Sequence, residues 1–216
     1  EVEVMGMTCK GKELMLRIEQ LVRLAYEEGA DEDEKLYARD YFWYLWCGPN
    51  SPLFDKSKMT TFERYFIDDK STHSEEKGAY YKLRNEATIC DKILDEFSVV
   101  GKHRHIINGH VPVKVGKGEN PIKADGRLMV IDGGFARAYH STTGIAGYTL
   151  VYHSRGFQLV QHAPFNSTEE AVLNGTDIQS TTSIVEISDR RVMVADTDIG
   201  RTLREQVADL EYLLKA

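Results

Sequence analysis

Two short apolar runs in this chain each stop at a glycine beside an ionisable side chain. HIINGHVPV, residues 105–113, places His110 directly after Gly109, and LMVIDGG, residues 128–134, places Asp132 directly before Gly133 and Gly134. A neutral imidazole at a strand end is a good ligand for a transition metal, and a neighbouring glycine leaves room for the ion. The same words also fit a loop histidine with one satisfied hydrogen bond. Asp132 has a similar choice: it can orient a ligand histidine from behind, or cap a turn.

The residues around His110 are locally basic. Between Gly101 and Ala124 stand Lys102, Arg104, Lys114, Lys117 and Lys123 against one acid, Glu119, in a chain whose formal charge is -7. Such a patch suits a phosphorylated small molecule, and Arg104, Lys114, Lys117 and Lys123 are its candidate substrate contacts. A solvated loop kept soluble by its lysines is the competing reading. A second candidate set, Asn50, Lys56, Lys58 and Arg64, lies in WCGPNSPLFDKSKMTTFERYF, a polar loop stiffened by prolines and flanked by aromatics. His103 and His105 flank Arg104, and strand alternation would put both on one face, for anion contact or for ordinary hydrogen bonding. His140, His153 and His162 show no metal-ligand spacing and read as structural. KVGKGEN has neither P-loop nor dinucleotide spacing.

The elements that must position these residues can be read from periodicity. Leu14, Ile18, Leu21, Val22 and Ala25 recur at helical spacing before Gly29. A second helix begins after Asp31 with acids in its first turn and carries Leu36, Tyr41, Tyr44 and Leu45. A third is expected from a capping box at Thr72 and Glu75, with a stripe of Leu83, Ala87, Cys90, Ile93, Leu94 and Phe97. After Val99 the pattern turns to strands: HIIN, LMVID, the hairpin GYTLVYHS and FQLVQHA joined through Arg155 and Gly156, and TTSIVEI after a helix-like EEAVLNG. Leu203, Val207, Leu210 and Leu214 form the stripe of a closing helix, with Thr197 and Asp198 as cap candidates. The fold class is α+β, mainly helical over 1–98 and strand-rich with a mostly antiparallel sheet over 99–216, with no linker between the two parts.

At 216 residues the chain can bury a substantial core. Its acidity argues against nucleic acid and anionic lipid as partners. No apolar stretch approaches the roughly 20 residues of a membrane helix, and a signal-peptide layout is missing, so a cytoplasmic location is expected. Cys9, Cys47 and Cys90 are far apart and read as reduced packing residues. Asn166-Ser167-Thr168 and Asn174-Gly175-Thr176 match a glycosylation pattern that has no bearing in that compartment. The opening EVEVMGMTCKGKE starts inside a strand and turn, which reads as a segment of something longer.

Taken together, LWCGPNSPLFDKSKMTTFERYF, the stretch from NGHVPV through LVYHSRGFQLVQH, and the closing DTDIG with its helix resemble the class 3 fructose-1,6-bisphosphatases of bacteria, which belong to the calcineurin-like metallophosphoesterases. The similarity spans most of the chain from about Tyr41. It implies the C-terminal part of an α/β/β/α sandwich and a two-metal phosphatase, usually manganese-dependent, that converts fructose 1,6-bisphosphate to fructose 6-phosphate and phosphate in gluconeogenesis. Gly109-His110 matches the superfamily's late G-H motif, whose histidine ligates one metal, and VIDGG is the following strand. The superfamily's motifs G-D-x-H-G, G-D-x-x-D-R-G and G-N-H-[DE] are not in this sequence, so most of the metal site would lie in an upstream part of the polypeptide. Asp55 and His140 stand where the family suggests glycine and glutamine.

The resemblance thus implies a fragment that is inactive alone, whose partners are a small sugar phosphate and the rest of its own polypeptide. A homo-oligomer is left open. Two other readings remain: a binding module that holds a phosphorylated effector or a partner protein on the Lys114–Lys123 loop, and another phosphomonoesterase of the same superfamily.

Overall fold

A computed structural model describes residues 1–215 apart from 54, 110, 135–140, 142 and 146. The chain forms two compact units, Glu1–Gly101 and Lys102–Ala216. Helices predominate in the first and strands in the second, and the class is α+β.

The first unit opens with the antiparallel pair β1 (Val2–Val4) and β2 (Met7–Cys9), in register Val2 to Cys9. Helices α1 (Gly11–Leu24) and α2 (Glu32–Cys47) follow. Asp31 starts α2: its side chain accepts from the backbone N–H of Asp33 at 3.0 Å and of Glu34 at 3.2 Å, satisfying two donors that the helix leaves unpaired. Val4, Cys9, Leu14, Leu21, Ala25 and Ala38 form the core of this unit, with Ile18 and Tyr41 packed against it. The stripe expected on α1 is therefore the buried one. On α2 the expected stripe is shifted: Leu36 is exposed, and Ala38, Tyr41 and Leu45 turn inward instead. A small residue at 38 lets α2 approach α1 closely, so the contact seam follows Ala38 rather than the larger Leu36.

The helix expected to start at Thr72 is replaced by several short pieces. These are a 3-10 turn at Lys70–His73, α4 (Ala79–Leu83) and α5 (Ala87–Glu96), preceded by the short helix α3 (Thr61–Phe66). Thr72 lies inside the 3-10 turn, which is capped by Asp69, and its hydroxyl donates to the Asp69 carbonyl at 2.7 Å. The Glu75 carboxylate cannot complete a capping box because it is engaged with Lys56 and Thr60. The chain becomes extended at Glu86, and only α5 keeps the apolar stripe, with Cys90 and Leu94 buried. Leu83 and Phe97 stay exposed.

In the second unit β3 (Ile106–Asn108), β4 (Ile122–Lys123) and β5 (Leu128–Val130) form a sheet in the order β3-β5-β4. β3 runs parallel to β5 and β4 antiparallel to it. β5 is fully buried, as its unbroken apolar run requires. A second, wholly antiparallel sheet holds β6 (Gly147–His153), β7 (Gly156–His162) and β8 (Ser180–Ile187). His153 pairs with Gly156, so the hairpin turn is Ser154-Arg155, and Gly156 is the first residue of β7 rather than part of the connection.

Helix α6 (Thr168–Asn174) links β7 to β8 and is capped by Ser167, which accepts from Glu170 N–H at 3.1 Å. Helix α7 (Asp198–Leu213) closes the chain. Its cap is Thr197, which accepts from Gly200 N–H at 3.1 Å, and Asp198 sits in the first turn, where its charge suits the helix dipole. Among the described residues, no helix is long and apolar enough to cross a membrane.

Candidate functional site

The parallel pairing of β3 with β5 brings the two glycine-terminated strand ends together. Asn108 lies opposite Val130, and Ile131 N–H donates to Asn108 O at 2.9 Å. One residue further on, a Cβ placed on Gly109 would be 4.0 Å from Asp132 Cβ, so Gly109 runs beside the Asp132 side chain. Asp132 Oδ1 accepts from Gly134 N–H at 2.9 Å, and its carbonyl accepts from Val113 N–H at 2.8 Å. Its carboxylate thus caps the turn that follows β5. Gly133 is required for another reason: a Cβ there would overlap the Cα of Gly147. His110 itself, like His140, lies outside the described residues.

The basic loop after Gly109 is organised by its one acid. Glu119 Oε1 is 2.8 Å from Lys123 Nζ, and Oε2 accepts from Lys114 N–H at 3.0 Å. Burial, and then the nearby Glu119 charge, push the Tyr148 phenol upward. Lys114 and Lys117 keep exposed side chains, whereas Lys123 is half-buried against its partner. Before β3, acids from distant sequence come in. Lys102 pairs with Asp189 at 3.1 Å, while Glu186 on β8 faces His103 Nδ1 at 2.5 Å and His105 Nε2 at 2.8 Å through its two separate oxygens. His105 Nδ1 lies 2.8 Å from the Gly126 carbonyl, and its ring meets Phe157 edge-on. His103 and His105 precede β3 rather than alternate along it, and both meet the same protein carboxylate. Arg104 between them is half-buried. His162 sits between Thr149 and Ser180 at 2.8 and 2.9 Å, and His153 Nδ1 accepts from Arg155 N–H at 3.1 Å; both tie strands or turns.

The other candidate set, in the first unit, is held by a second acid. Glu75 accepts from Lys56 Nζ at 2.9 Å, from Thr60 N–H at 3.0 Å and from the buried Thr60 hydroxyl at 2.9 Å. Partial burial works against its ionisation, but these hydrogen bonds and the Lys56 charge prevail and hold its pKa at about 2. Lys58 Nζ donates to Thr72 O at 2.8 Å, and Arg64 donates to Thr60 Oγ1 at 2.9 Å and to His73 O at 3.0 Å. Asn50 has a left-handed backbone, φ 55°, and its N–H closes the loop on Ser57 O at 3.0 Å. The structure thus turns Lys56, Lys58 and Arg64 toward partners within their own unit. Asp55 adopts φ 46°, a conformation that glycine takes most readily, and uses its side chain to accept from Tyr80 N–H at 2.8 Å at the start of α4.

The acids Glu75, Glu119 and Glu186 organise these three regions, and sequence reasoning assigned none of them that role. Glu119 carried a signal, as the lone acid of a basic stretch, whereas the spacing of Glu75 pointed to a capping box. Among the described residues, no group of three or more His, Cys, Asp or Glu side chains is arranged to hold a metal ion.

Comparison with known proteins decides the family. The model of the Firmicute fructose-1,6-bisphosphatase family matches residues 1–216, the whole chain. The chain belongs to that family. Curated relatives named fructose-1,6-bisphosphatase class 3 include those of Parabacteroides distasonis, 62% identical over 215 residues, Phocaeicola vulgatus, 60% over 216, and Clostridium botulinum, 55% over 216. Each alignment covers 100% of this chain and 32% of the relative. The chain therefore spans about a third of the length of the fructose-1,6-bisphosphatases it matches. No solved structure matches it.

Proposed function

We propose that this chain is the C-terminal part of a metal-dependent phosphatase that hydrolyses fructose 1,6-bisphosphate to fructose 6-phosphate and phosphate in the cytoplasm, as a step of gluconeogenesis. The observation that carries this reading is the unbroken match of all 216 residues to the fructose-1,6-bisphosphatase family. The acidic composition and the absence, among the described residues, of a helix able to cross a membrane agree with the compartment.

In this reading manganese supplies Lewis-acid activation of water and phosphate when bound. His110 is the ligand this chain contributes, and Asp132 lies at the neighbouring strand end. Lys114 and Lys117, exposed on the same loop, offer charge to a phosphate group. The remaining metal ligands belong to polypeptide beyond the matched third, so the 216-residue chain alone is inactive.

The test joins this chain to the remaining two thirds of the Parabacteroides distasonis relative and measures phosphate release from fructose 1,6-bisphosphate with manganese. Turnover by the joined polypeptide and none by the 216-residue chain is the expected result. Turnover by the isolated chain, or none by the joined one, contradicts the proposal.

A further inference from the structure

Helix α7 carries an apolar stripe that, among the described residues of its own unit, is left uncovered. Leu203, Val207, Leu210 and Leu214 repeat at intervals that place them on one side of the helix, and they are 48%, 54%, 61% and 87% exposed. The helix is fixed to its own unit only at the start. Gly200 is buried, Arg204 donates to Ala195 O at 2.5 Å, and the turn at 194–196 is the one element with which α7 makes extensive contact among the described residues. Some 16 residues of amphipathic helix stand out with the wrong face to water.

We infer that this stripe is the seat for the polypeptide that lies beyond the matched third in full-length members of the family. The inference rests on the proposed reading of the chain as part of a larger phosphatase. Two observations select this occupant. The chain accounts for 32% of the length of its relatives, leaving a body about twice its size to be packed against something. The polar side of α7 carries Asp198, Glu205 and Asp209 with Arg201, an acidic balance that suits neither an anionic lipid surface nor the basic face of an interfacial helix. A second copy is disfavoured by length, since about two heptads of a leucine seam are too short to hold a coiled coil by themselves.

Hydrogen exchange of α7 amides tests the inference, comparing the 216-residue chain with the same chain joined to the rest of the Parabacteroides distasonis relative. The expected result is fast exchange over residues 203–213 in the chain alone at every concentration, slowed by ~100-fold or more in the joined polypeptide. L203E/L210E in the joined polypeptide should return α7 to fast exchange while the β6-β7 amides stay protected. Equally fast exchange in both proteins overturns the inference. So does slow exchange in the chain alone, which would mean that its own first unit or a second copy covers the stripe. The readout does not depend on turnover, so loss of the phosphatase reading and loss of the seat are separate results.

Discussion

Gly109 and Asp132 lie side by side, so close that a side chain on residue 109 would begin 4.0 Å from the Asp132 Cβ. The parallel pairing of β3 and β5 produces this, because it carries two distant strand ends to the same edge in register. A site at the ends of neighbouring strands can take one side chain from each, which is how widely separated sequence words come to share chemistry.

Asp55 and Gly78 form a coupled pair in the first unit. A Cβ on Gly78 would overlap the Asp55 carboxylate that caps α4. Gly78→Ala should cost about 2 kcal/mol of stability through this overlap. D55G gains backbone ease at φ 46° and loses the bond to Tyr80, so its net effect should stay below about 1 kcal/mol. Denaturant unfolding of both single variants and the double variant should show most of the G78A loss recovered in the double.

Glu75 gives the chain an acid-sensitive element. Its pKa is about 2 in the fold against 4.5 ordinarily, so its contribution is complete above about pH 5 and is lost as the pH falls from there toward 2. Glu75→Gln should flatten the stability profile over that interval and lower stability at pH 7 by about 2 kcal/mol. Urea melts at stepped pH measure both effects.

Much of the fold was legible because it depends on local periodicity. The stripe of α1, the β6-β7 hairpin and the Thr197 cap follow from spacing and cap chemistry alone. What failed depends on distant partners. Glu75 has the spacing of a capping-box residue after Thr72, but Lys56 and Thr60, far back in the chain, hold its carboxylate elsewhere. Counting charge along the sequence likewise missed Glu186 and Asp189, which come from β8 and the residues just beyond it to meet Lys102, His103 and His105.

The lysines should separate by role. In the joined polypeptide, Lys114→Ala with Lys117→Ala should raise KM about 10-fold and leave kcat within about 2-fold, the signature of uniform substrate binding. Lys56→Ala should instead lower the melting temperature and leave KM unchanged, since its ammonium is taken by Glu75. Steady-state kinetics with thermal melts separate the two outcomes.

Glu186 should act as a clamp between the approach to β3 and strand β8. Glu186→Ala removes the carboxylate that faces both His103 and His105 and should destabilise the second unit by about 1 kcal/mol. Asp189→Asn, which breaks an exposed ion pair with Lys102, should have no measurable effect on unfolding.

The account stands most directly on His110. Manganese binding and turnover should be measured on the joined polypeptide and on its His110→Ala variant. The account predicts metal affinity weakened ~100-fold or more with a matching collapse of turnover, while the unfolding midpoint of the metal-free protein stays unchanged. Unaltered manganese affinity and turnover in the variant would contradict it.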